Sequence, residues 1–159
     1  MSDWSKDAAK RFREKQRAEQ ERLDKEKEAR ETQERKQLLD AHTLELNAPT
    51  LWTELCTSFE TSCNEFSSDI GNTATLKLRQ PDPNTLEISS QITHLKLTAI
   101  FDPQRYTIAF HGLTVGDIKR LDIKVKPGSS DLALFQNGTL VNPDRVVQKT
   151  LEELLGLGS

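Results

Sequence analysis

The stretch ATLKLRQPDPNTLEISSQITHLKLTA, residues 74–99, decides the fold. Apolar Ala74, Leu76 and Leu78 alternate with Thr75, Lys77 and Arg79; Leu86 and Ile88 alternate with Glu87 and Ser89. Leu95, Leu97 and Ala99 then alternate with His94, Lys96 and Thr98. A period of two places one apolar and one polar face on each segment, the pattern of a half-buried strand. Between the first two runs, Pro81, Asp82, Pro83 and Asn84 form a turn too short to hold a crossover helix. Neighbouring strands must therefore run antiparallel.

Downstream the same period recurs. Tyr106, Ile108 and Phe110 alternate with Thr107, Ala109 and His111, and Leu121, Ile123 and Val125 with Asp122, Lys124 and Lys126. A last pair around Leu132–Gln136 and Thr139–Val141 flanks Asn137-Gly138, a strong two-residue hairpin signal. Asp102–Gln104 and Pro127–Ser130 supply the other turns. The expectation is a meander of five or six antiparallel strands with one buried face.

Upstream of the meander the period is helical. Leu51, Trp52, Leu55, Cys56, Phe59, Cys63 and Phe66 recur at three and four, with Glu54, Thr57, Ser58, Glu60, Thr61 and Glu65 on the other side. Asn47, Ala48, Pro49 and Thr50 read as a break, with Pro49 opening a new helix, and Gly71 as its terminator. A short closing helix follows Asn142-Pro143, with Val146, Val147, Thr150, Leu151, Leu154 and Leu155 inward and Gly156 at its end. The fold class is α+β: a sheet with one face covered by two helices.

Residues 1–37 differ in kind. They hold 12 Lys/Arg and 10 Asp/Glu, no Gly or Pro, and from Ala18 onward a single sizeable apolar residue, Leu23. Opposite charges recur at i,i+4, among them Asp7–Arg11, Glu21–Lys25, Arg22–Glu26 and Glu26–Arg30. Each pair contributes a few tenths of a kcal/mol. A continuous helix here would run about 50 Å, but no heptad of apolar a and d positions marks a coiled coil. The organisation expected is a charged helical arm over 1–37, continuous or partly frayed, a linker or helix end over 38–48, and the α+β domain over 49–159. At the tip, Trp4, Ala8 and Phe12 fall on one helical stripe flanked by Lys6, Lys10, Arg11 and Arg13. Ser5 suits an N-cap, with Trp4 as its hydrophobic staple.

The chemistry-bearing residues are scattered. His42, His94 and His111 show no ligand spacing, and no CxxC or HxxxH motif occurs, so neither a metal nor another cofactor is expected. Cys56 lies on the apolar helix face, where a thiol stays protonated rather than acting as a nucleophile. Two turns set Cys56 and Cys63 about 10 Å apart, too far for a bridge. These features argue against an enzyme and for a cytoplasmic chain with reduced thiols. A net charge of −3 and the lack of a long apolar run make nucleic acid and membrane poor partners.

The function expected is therefore a non-catalytic interaction or adaptor protein, with a protein partner and a homodimer as a further option. Its binding residues would be Trp4, Ala8 and Phe12 on the arm and Lys77, Arg79, His94 and Lys96 on the polar sheet face. The alternative is a small-ligand or lipid-binding domain with a cavity between sheet and helix. In outline, the meander with its helices resembles folds in which a curved sheet grips a helix around a cavity.

Overall fold

A computed structural model describes residues 3–71, 75–112 and 120–157. Helix α1 (Asp3–Ile70) is followed by β1 (Leu76–Asp82), β2 (Thr85–Ser90), β3 (Lys96–Asp102) and β4 (Thr107–His111). Then come β5 (Arg120–Val125), β6 (Leu132–Gln136), β7 (Thr139–Val141) and α2 (Pro143–Leu154). The seven strands form one antiparallel sheet in sequence order. The meander is longer than five or six because the three-residue β7 pairs with β6 across Asn137 (φ 51°) and Gly138 (φ 81°). Two consecutive positive φ angles match the twist of the flanking strands, and Asn-Gly adopts them at little cost.

The chain divides into two compact units, Met1–Ala41 and His42–Ser159. In the first unit every described residue is helical, and its side chains are exposed apart from half-buried Ala8, Ala9 and Asp40. Ion pairs join Arg11 to Asp7 at 2.7 Å and Arg22 to Glu26 at 3.5 Å. Trp4 and Ser5 already lie inside α1, so Ser5 is not the cap. Asp3 instead places a carboxylate in the first turn, where the helix dipole favours it.

The second unit is built around one core. Trp52, Leu55, Cys56, Phe59 and Cys63 of α1 meet Leu86, Ile88, Leu97, Phe101, Ile108, Leu121, Ile123 and Leu134 of the sheet. Val146, Val147, Leu151 and Leu154 of α2 close it. The Trp52 ring stacks on Phe101 with centroids 5.8 Å apart, and its indole N–H donates to the Pro83 carbonyl at 2.8 Å. Asn142 caps α2, its side-chain oxygen accepting from the Asp144 N–H at 2.9 Å.

Asn47–Thr50 does not break the helix. It is helical throughout, with Pro49 inside α1 and Ala48 fully buried. An interior proline costs about 3 kcal/mol. Burial of Trp52, Leu55, Cys56 and Phe59 just downstream can offset that cost at about 1.5–3 kcal/mol per large side chain. The expected end near Gly71 stands: its φ of 71° and the bond from its N–H to the Ser68 carbonyl at 3.2 Å terminate α1.

Two strand assignments change. Thr75 is buried rather than on the wet face, its carbonyl accepting from the Gln91 N–H at 2.9 Å. Tyr106, read as the first inward residue of its strand, precedes β4, half-buried at φ 55°. The inward position read for Ala74 lies outside the described residues.

Candidate functional site

The arm residues are presented as the helical spacing requires. Trp4 is 78% exposed and Phe12 61%, with half-buried Ala8 on the same stripe of α1. Asp7 is tied to Arg11 beside that stripe. Trp4 and Phe12 therefore stand two turns apart, both exposed.

On the sheet, register places the basic residues. The outward side chains form cross-strand rows, one running Lys77, Ser89, Lys96 and the next Arg79, Glu87, Thr98, His111. Lys77 and Lys96 thus share a row two strand spacings apart, roughly 10 Å, while Arg79 stands directly opposite Glu87. Glu87 is also paired with Lys96, Nζ to Oε2 at 3.4 Å. The three cations form a corner of the outer face, partly neutralised by one carboxylate.

His94 is not in that corner. It sits in the connection between β2 and β3 at φ 60°, its N–H donating to the Ser90 carbonyl at 3.1 Å. The sequence alternation through Leu95 hid a hairpin loop that needs a left-handed residue at this point. His111 does lie on an outward strand position, exposed beside Thr98.

The outer face also carries apolar residues that the alternation did not reveal. Phe135 is 9% exposed although it is registered with Asp122 and Leu140 on the outer side, and Leu140 and Ile100 are 50% and 39% exposed. The signal was the adjacent pair Leu134-Phe135, which cannot face the same side of a strand. Next to Phe135, the Arg120–Asp122 ion pair at 3.5 Å runs along β5.

No reactive nucleophile emerges from the cysteines. Both are free and buried; burial pushes the Cys56 thiol up to about 12 and the Cys63 thiol to about 11, the latter helped by Glu60. Asp102 has its carboxyl held below the ordinary range, because the N–H groups of Gln104 and Arg105 donate to it in the β3–β4 turn. That arrangement shapes a turn. Among the described residues no group of three His, Cys, Asp or Glu could hold a metal, and no helix is long and apolar enough to cross a membrane. The layer between sheet and helices is occupied by Phe59, Leu86, Ile88, Leu97 and Ile108, each at most 1% exposed. No protein-family model, curated protein or solved structure matches the chain.

Proposed function

We propose that this chain is a non-catalytic interaction protein, in which the helical unit offers an aromatic anchor to a protein partner. The observation that carries the reading is the exposure of Trp4 and Phe12 on one stripe of a charge-rich helix, whose other exposed large apolar residues, Leu23, Leu38, Leu39, Leu46 and Ile70, are aliphatic. Exposed aromatics are costly to leave in water and contribute most when buried in a partner's pocket. The basic corner of Lys77, Arg79 and Lys96 supports a second, weaker contact, and His94 stands apart from it. Such a corner suits an acidic protein surface, not a nucleic-acid backbone, which calls for a larger excess of cations. Free, buried thiols support a reducing compartment such as the cytoplasm.

The deciding experiment compares affinity capture from cell extract by the full chain and by the Trp4→Ala/Phe12→Ala double variant. The expected outcome is a specific protein lost from the variant, with an unchanged melting temperature. Equal capture by both proteins would sink the anchor reading.

A further inference from the structure

The second unit has an apolar groove of about 250 Å³ that the arm and the basic corner do not involve. Phe66 from α1, Leu76 from β1, and Leu151 and Leu155 from the α2 segment form its floor, and Leu157 stands over it 67% exposed. Ile70, 47% exposed, follows one turn beyond Phe66 on the same helix face. Ile92, 61% exposed, belongs to the β2–β3 connection, which is fastened to Thr75 through Gln91 and to Leu154 through Thr93. Several large apolar side chains therefore stand in or beside one end of this unit, more than scattered surface leucines require.

Charge selects what fits there. Asp144 and Glu152 line the groove from α2, with Gln148 between them donating to Glu152 at 3.0 Å. Residues 42–70 of α1, which supply Ser62 and Phe66 to the groove, hold no Lys or Arg, so Asp144 and Glu152 are the charged residues of its lining. Arg145 and Lys149 belong to α2 but do not line the groove. An anionic lipid surface or a nucleic acid would meet carboxylates at this rim, whereas a cationic peptide would be steered to it. The α2 side of the groove is lined from Asp144 to Leu155, about 16 Å of chain at the helical rise, long enough for three turns of a second helix to lie against it.

We propose that this groove receives a short basic amphipathic helix of a partner protein. Its apolar side chains would rest on Phe66, Leu155 and Leu157, and its Lys or Arg residues would face Asp144 and Glu152. The site is independent of the Trp4 and Phe12 anchor, so either can fail without the other.

The test uses the full chain labelled for NMR and a synthetic helix of about fifteen residues, with leucines on one face and lysines on the other. The expected result is amide shifts concentrated at Phe66 and Gln148–Leu157, with affinity at least ~10-fold weaker for a Lys→Glu version of the peptide, as charge-guided binding requires. Leu157→Ser and Glu152→Lys should each weaken binding by about 10-fold, the loss of one central anchor or one reversed charge, with the melting temperature unchanged. Shifts centred elsewhere, or indifference to both substitutions, would overturn the proposal. Tighter binding by a peptide of residues 3–17 of this chain would assign the groove to a second copy instead. Leu157-dependent binding to vesicles of phosphatidylcholine with phosphatidylserine would assign it to lipid. Either result overturns the partner-protein assignment.

Discussion

Residues 3–41 and 42–70 are both helical, yet different forces make them so. In the first stretch almost nothing is buried, and the helix depends on Ala, Glu, Lys, Arg and Gln propensity and on pairs such as Arg22 with Glu26. In the second, Trp52, Phe59 and Cys63 are buried against a sheet, and the helix survives Pro49 in its interior. Local preference maintains one stretch; tertiary burial maintains the other, and tolerates a residue that local preference rejects. Exposure follows the same division: the first stretch leaves Trp4 and Phe12 in solvent, while the second buries most of its large apolar side chains.

Phe59 of the second stretch is fully buried. Phe59→Ala should destabilise the second unit by about 3–5 kcal/mol, read as a lower denaturant midpoint. A loss below about 1 kcal/mol would mean that the core is not what holds this helix. A smaller effect belongs to the cysteines. Their thiols have pKa values raised from 9.0 to about 12 and about 11, so the folded state favours the neutral form. The resulting stability is fully present below pH 9 and is lost progressively as pH rises through the folded values. Stability measured across that alkaline window should fall less steeply in a Cys56→Ala/Cys63→Ala variant than in the parent; identical slopes would refute the burial effect. The smallest change is expected at Arg22→Ala, which removes two exposed contacts, to Glu19 at 3.9 Å and Glu26 at 3.5 Å. A loss of a few tenths of a kcal/mol in helix stability, seen by circular dichroism, would sharpen the contrast with Phe59. A loss matching that of Phe59 would erase it.

Much of the second unit was legible because its signals are periodic. Alternation through Leu86, Ile88, Leu97, Ile108, Leu121 and Ile123 gave the buried face correctly, since side-chain direction in a strand depends only on parity. Asn142-Pro143 marked the start of α2, because a cap bond and a fixed φ are local. His94 and Thr75 were misplaced where parity fails, at a left-handed residue and at a strand end pinned by a backbone bond. Of the candidate sites, the Trp4–Phe12 stripe was visible, being a matter of helical spacing. The groove at Phe66 and Leu157 was not, because its walls come from α1, β1 and α2 and no single segment contains it.

The antiparallel meander, the closing helix and the charged character of the arm follow from the sequence alone. Periodicity, short turns and i,i+4 charges act over a few residues and need no distant partner. That Pro49 stays within a helix, that Phe135 is buried on the outer side, and that Lys77, Arg79 and Lys96 share a corner partly neutralised by Glu87 depend on the packed fold. Each of those outcomes depends on which strands and helices become neighbours. That is settled by the burial free energy of the whole core, which no local window of the chain contains.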